Sequence, residues 1–216
     1  MLKLQVLSRI VESGLVAIIR TNSAEQAARI AEACAQGGVA ALEVTFTVPG
    51  AAGVIGDLAK RYKPEEMVIG AGTVLDPETA RAALLAGAQF LVSPALNGET
   101  ARLANRYQIP YMPGAGTARE VVEAMECGAE IIKVFPGETL GPTFIKAVKA
   151  PLPQASLMPT GGVSLENAGT WIAAGAVALG VGGNLIAGAK TGDYASITAL
   201  ASRFIEVIRE ARQERQ

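Results

Sequence analysis

Eight short apolar runs, each followed by a longer stretch with helical spacing, constrain the fold of this chain more than any other feature. They occupy residues 15–20, 41–46, 67–74, 90–94, 109–113, 131–136, 157–162 and 178–183. The runs are continuous rather than alternating, which predicts parallel strands covered on both faces. Between them lie segments rich in Ala and charge. One spans 23–36, where Ser23 can cap and Gln26 holds the capping-box position; another spans 77–86, preceded by Asp76. Gly37-Gly38, Gly87-Ala88, Gly128-Ala129 and Gly175-Ala176 precede four of the runs at intervals close to two βα units, a quarter-barrel repeat. Glycine there suits the left-handed residue that ends a helix before a tight turn. The pattern predicts one (β/α)8 TIM barrel over residues 1–216, undivided by any Pro/Ser-rich linker. A doubly wound open sheet is the other arrangement that βαβ alternation allows.

Composition removes whole classes of function. With 19 basic and 20 acidic residues, the chain has no bulk field for nucleic acid or an anionic membrane. No run of about 20 apolar residues reads as a membrane span. The N-terminus lacks a signal core with a small-residue cleavage site, so the chain is expected to be soluble and cytoplasmic. Two cysteines make neither a disulfide framework nor a four-thiolate zinc site. Histidine is absent, which excludes Ser-His-Asp and Cys-His catalysis and His-ligated zinc. Acid–base chemistry is left to carboxylates, lysines, tyrosines, thiols or water.

In a barrel the chemical groups sit at C-terminal strand ends and in the loops that follow. Lys133 is the only lysine inside an apolar strand run, Ile131-Ile132-Lys133-Val134-Phe135-Pro136. Desolvation there lowers an ammonium's pKa, and a lysine brought toward neutrality is the nucleophile that forms Schiff bases with ketones. A snorkelling head group or a structural ion pair would also account for it. Glu43 is the corresponding anomaly in Ala40-Ala41-Leu42-Glu43-Val44-Thr45-Phe46. A carboxylate there is expected to be paired, with Lys133 itself as one candidate partner, or to act as general acid/base. Gly161-Gly162 and Gly182-Gly183 end the last two runs, where barrel loops expose backbone N–H groups to phosphate. Tight turns alone would also call for glycine. Gly180-Val181-Gly182-Gly183 is not a dinucleotide fingerprint, because no acidic residue ends a following strand. Cys34 and Cys127 read as small hydrophobes, the scattered aromatics give no stacking platform, and residues 203–216 read as a solvated amphipathic helix.

These residues carry a resemblance. Leu42-Glu43-Val44-Thr45, Ile69-Gly70-Ala71-Gly72-Thr73-Val74, Val92-Ser93-Pro94, Lys133-Val134-Phe135-Pro136, Pro159-Thr160-Gly161-Gly162 and Gly180-Val181-Gly182-Gly183 follow one another across nearly the whole chain. In this the sequence resembles the 2-keto-3-deoxy-6-phosphogluconate (KDPG) / 4-hydroxy-2-oxoglutarate aldolase family, class I enzymes on a (β/α)8 barrel. The resemblance implies Lys133 as the Schiff-base lysine and Glu43 as the general acid/base. It implies Thr73, Pro94 and Phe135 around pyruvate, and Gly161, Gly162, Gly182, Gly183 and Asn184 on a phosphate. Thr47 stands where well-known members carry Arg, and Asn184 where they often carry Ser. Arg20, ending the first run, is placed to supply the missing cation, and Thr160 completes the substrate-facing set.

The expected reaction is metal-free and cofactor-free cleavage of a phosphorylated 2-keto acid to pyruvate and an aldehyde, in a homotrimer. The gluconate series is expected, with 4-hydroxy-2-oxoglutarate as a further substrate; a 2-keto-3-deoxy-6-phosphogalactonate aldolase is the alternative. Two other readings are a phosphosugar isomerase or epimerase with Glu43 as base, and a phosphate-ligand binding protein. Neither would release pyruvate.

Overall fold

Each apolar run becomes a strand because its two faces find different partners. The computed structural model describes residues 2–21 and 23–214. Helix α1 (Leu2–Ser13) precedes β1 (Leu15–Ile19), and the alternation then runs α2 (Ala24–Gln36), β2 (Ala41–Thr45), α3 (Ala51–Arg61), β3 (Val68–Gly72), α4 (Pro77–Ala86), β4 (Phe90–Val92) and α5 (Gly98–Tyr107). There follow β5 (Tyr111–Met112), β6 (Gly114–Ala115), α6 (Ala118–Glu126), β7 (Ile132–Val134), α7 (Gly137–Lys149), β8 (Leu157–Pro159), α8 (Leu165–Ala174), β9 (Leu179–Val181) and α9 (Tyr194–Gln213).

The chain is an α/β fold with a curled parallel sheet. Six strands are ordered β5-β4-β3-β2-β1-β9 and three more β6-β7-β8. This is less than the uninterrupted eight-strand closure expected from the sequence. The interruption has a local cause: the fifth run forms β5, ends at Pro113, which has no N–H to donate, and pairing resumes beyond the run as β6. The Pro113 carbonyl still accepts from the Lys133 N–H at 2.9 Å. Between β8 and β9 a single bridge pairs Thr160 with Gly180, and Val177 N–H donates to Leu157 O at 2.9 Å.

Side chains alternate between two cores. Val16, Ala41, Val68, Phe90, Val92, Met112, Ile131, Met158 and Ala178 share an inner cluster with Val6 and Ile10 of α1. Helix α1 was not anticipated, and its apolar stripe closes this cluster on one side. The intervening strand residues, such as Leu42, Val44, Ile69, Ile132 and Val134, pack outward with the helices. Glu43, Thr45, Gly70, Gly72 and Lys133 fall on the inner face by the two-residue period of a strand.

Caps fix where the helices begin. Ser23 Oγ accepts from Gln26 N–H at 3.2 Å, and Asp76 from Thr79 N–H at 2.6 Å. Gln26 does not complete a capping box, because its amide bonds Thr21 and the Ala189 carbonyl instead. Gly38, Gly87, Gly128 and Gly175 all take positive φ at the ends of helices. Helix α9 is amphipathic but only half solvated: Ile197, Ala201, Phe204, Ile208 and Ala211 are buried. Arg215 and Gln216, at the end of the expected helix 203–216, lie outside the described residues. Among the described residues no helix is long and apolar enough to cross a membrane.

Candidate active site

Strands β2 and β7 carry the two anomalous charges into the interior. Glu43 is 1% exposed and Lys133 is 7% exposed. Glu43 Oε2 is fully buried and finds no hydrogen-bond partner among the described residues. Arg20, one residue beyond β1, is exposed to solvent yet close enough for its charge to act on both.

Burial is the largest influence on each group. It pushes the Glu43 carboxyl up, while Lys133 and then Arg20 pull it back toward ionisation. It pulls the Lys133 ammonium down, Glu43 opposes this, and Arg20 adds a like-charge repulsion that lowers it further. The pair is thereby driven toward a neutral amine beside a carboxyl that can hold or release a proton. The Lys133 Nζ also lies 4.8 Å from the centre of the Phe135 ring, which favours its charged form and limits the shift. A nucleophilic amine and an acid/base carboxyl facing one interior is what imine chemistry on a ketone requires.

Hydroxyls and rim residues occupy the neighbouring strand ends. Thr45 is 1% exposed; its Oγ1 donates to Ile19 O at 3.4 Å and lies 2.8 Å from the hydroxyl of exposed Thr47. Thr73 directly follows β3 with φ +56°, a left-handed conformation rare for a β-branched residue. Pro94 is half-buried and Phe135 exposed at the strand ends. The Thr160 Oγ1 is buried and has no hydrogen-bond partner among the described residues.

The two glycine loops meet. Gly161 and Gly162 take positive φ of 94° and 68°, and the Gly137 N–H at the start of α7 donates to Thr160 O at 2.8 Å. Asn184 Nδ2 donates to Val163 O at 2.8 Å, tying the loop after β9 to the loop after β8. Its side-chain amide is thus committed to backbone rather than aimed outward. Gly182 O accepts from Leu185 and Ile186, which turns that loop back immediately.

The sequence singled out Lys133, Glu43 and the glycine loops through residue type in an apolar context. It did not single out Glu138, whose carboxylate crowds Gly161 and whose backbone crowds Gly162. Nor did it indicate that Tyr111 pins the segment around Pro94: its hydroxyl donates to Ala95 O and accepts from Asn97 N–H, both at 3.2 Å. No local pattern reports either contact. A surface groove of about 280 Å³ between α2 and α9, lined by Arg29, Glu32, Gln36, Tyr194 and Thr198 among others, lies on the outer helices and holds none of the candidate residues. Among the described residues no cluster of three or more Cys, Asp or Glu could hold a metal ion.

Residues 6–200 match the model of the family described as KDPG and KHG aldolase. The 2-dehydro-3-deoxy-phosphogluconate aldolase of Treponema pallidum (strain Nichols) is 34% identical over 198 residues, covering 90% of this chain and 93% of that protein. The 2-dehydro-3-deoxy-6-phosphogalactonate aldolase of Escherichia coli (strain K12) is 36% identical over 201 residues, covering 92% and 96%. Among solved structures, the KDPG aldolase from Legionella pneumophila, with pyruvate captured at low pH as a covalent carbinolamine intermediate, has a TM-score of 0.84 and 28% identity. The match covers 92% of this chain and 96% of that one.

Proposed function

We propose a function from one premise: the chain belongs to the KDPG and KHG aldolase family. It is an aldolase, a carbon–carbon lyase. Our reading is a class I enzyme that cleaves 2-keto-3-deoxy-6-phosphogluconate to pyruvate and glyceraldehyde 3-phosphate, with 4-hydroxy-2-oxoglutarate as a further substrate. The observation that carries it is the burial of Lys133 and Glu43 on one inner face, each shifted toward its uncharged form.

In this mechanism the neutral Lys133 amine attacks the substrate's C2 carbonyl carbon. The carbinolamine loses water to an iminium ion. Glu43 takes the proton of the C4 hydroxyl as the C3–C4 bond breaks, so C4 leaves as an aldehyde and the bond's electron pair moves into the iminium as an enamine. The Glu43 carboxyl then returns the proton to C3, water adds to the restored iminium, and the C2–N bond breaks to free pyruvate and the amine. Arg20 supplies the cation for the substrate carboxylate, in the absence of an arginine at Thr47. Thr73, Pro94 and Phe135 border pyruvate, and Thr160 completes the substrate-facing surface. Backbone N–H groups of Gly161, Gly162, Gly182, Gly183 and Asn184 hold the phosphate, which keeps the scissile bond in register.

Borohydride added with pyruvate tests this reading directly. Mass analysis is expected to find Lys133 alkylated irreversibly, and an unmodified Lys133 would refute imine catalysis. A second reading, the galactonate series, is favoured by the 36% identity over 201 residues to the Escherichia coli relative named for it. The two sugar acids differ in the configuration of one hydroxyl, so pyruvate release from each separates them. Our reading of the architecture is one domain in which the two sheets are arcs of a closed (β/α)8 barrel. The Pro113 carbonyl bond and the Thr160–Gly180 bridge across the two gaps support it. A homotrimer in the cytoplasm completes the proposal, to be checked by sedimentation equilibrium and by fractionation of the cells that make it.

A further inference from the structure

Glycine recurs on the inner face of the sheet beside groups of the candidate site. A Cβ on Gly72 would overlap Glu43 Oε1 and Cδ and lie 2.6 Å from Cγ. A Cβ on Gly114 would overlap the Pro94 carbonyl, and one on Gly180 the Thr160 hydroxyl. None of the three glycines has positive φ. Their backbones are open to any residue, so the neighbour's side chain or carbonyl alone forbids a methyl group. Gly72 lies on β3, the neighbour in the sheet of the strand β2 that carries Glu43.

The Gly72 case is the most demanding. In the β2–β3 register Glu43 pairs with Gly70 and Thr45 with Gly72. The Glu43 side chain therefore leans one inner position toward the C-terminal strand ends to lie over Gly72. At Gly70 the space is filled by the Phe90 ring. Glu43 is only 1% exposed, and among the described residues its Oε2 has no hydrogen-bond partner to hold it in this pose. The charges of Lys133 and Arg20 attract the carboxylate, and the notch at Gly72 gives it the room it occupies.

We infer that Gly72 is a positioning residue for the aldolase reaction: its missing side chain seats the Glu43 carboxylate where it can exchange a proton with substrate carbon and oxygen. The inference rests on the proposed role of Glu43. A methyl group at position 72 displaces the carboxylate from this rotamer without touching Lys133.

The test is Gly72→Ala in the full-length protein, read by three measurements. Borohydride trapping of the pyruvate imine after prolonged incubation is expected to reach the wild-type extent. Exchange of pyruvate methyl protons with deuterated solvent, which needs the carboxylate, is expected to fall by about 100-fold or more, as does aldol cleavage. Glu43→Asp, one methylene shorter, is expected to restore part of the exchange when combined with Gly72→Ala. Wild-type exchange in Gly72→Ala, or no recovery in the double variant, overturns the inference. Should Gly72→Ala alone fail to fold, the pair Glu43→Ala and Glu43→Ala/Gly72→Ala decides. With the carboxylate gone the added methyl is expected to be accommodated and the Tm unchanged, whereas an unfolded double variant overturns the inference. Failure of the underlying reading is a separate outcome, seen as no trapped imine in the wild-type protein or wild-type exchange in Glu43→Gln.

Discussion

Arg20 acts on both buried charges from a solvent-exposed position, so its removal has a defined sign. Its repulsion lowers the Lys133 pKa. Arg20→Met is therefore expected to move the acid limb of the kcat/KM pH profile to higher pH, besides raising KM for the carboxylate-bearing substrate. An unmoved limb would remove Arg20 from the electrostatics of the site. Lys133 itself opposes folding. Its folded pKa lies below its unfolded one, so the unfolded chain binds more protons between the two values and stability at this site rises with pH through that window. Glu43 has the reverse sign: its folded pKa is raised, and its contribution declines as pH rises from the ordinary carboxylate range to the raised value. Near neutral pH, Lys133→Met removes a desolvated amine and is expected to relieve about 1 kcal/mol and raise Tm by roughly 2–4 °C while abolishing cleavage. Calorimetry showing a lower Tm would instead identify a stabilising ion pair with Glu43. Both residues were legible in the sequence because a charge inside an apolar run is conspicuous. Gly72 was not, because the need for a missing methyl group depends on a side chain 29 positions earlier that only the β2–β3 register brings alongside.

Element boundaries show a similar division. The run at 90–94 became β4 and the pattern at 77–86 became α4, capped by Asp76, since each obeys its own local chemistry. Strand five did not end at Pro113 as its sequence suggests; pairing resumes at Gly114, opposite Lys133. Proline lacks a donor, but its carbonyl still accepts, and a neighbouring strand can pair around it. Helix α1 is not evident in the sequence because Leu2, Leu4 and Val6 follow a two-residue period while Leu7, Ile10 and Val11 follow a helical one. Only the open inner cluster selects Val6 and Ile10 as its buried stripe. Ile10→Ala is accordingly expected to cost about 3 kcal/mol, or roughly 6–12 °C in Tm. Trapping of the pyruvate imine should persist, since α1 carries none of the candidate residues. Retained Tm would mean that α1 is dispensable to that core.

At the scale of the molecule, the C-terminal helix is tied to the N-terminal one. Arg212 Nη1 donates to Glu12 O at 2.9 Å, and Nη2 donates to Val11 O at 2.6 Å and Val177 O at 2.8 Å. Its guanidinium lies over Gly14, whose φ of +69° and missing Cβ leave the space. Arg212→Ala leaves three carbonyls without this donor, and a loss of about 2 kcal/mol would lower Tm by roughly 4–8 °C. An unchanged melting curve would show the clamp to be idle. From residues 203–216 alone this arginine reads as one more solvated charge; its half-buried clamp exists only once α9 lies beside α1. The same division holds throughout. By itself the sequence determined the alternation of strand and helix, the helix caps and turns, and which amine and which carboxylate are out of place, because each follows from residue type and its near neighbours. Only the tertiary structure decided that Lys133 and Glu43 act on one another, that Arg20 biases both, and that Gly72 makes the room. Those effects depend on burial and on distances between strands, which no stretch of contiguous residues encodes.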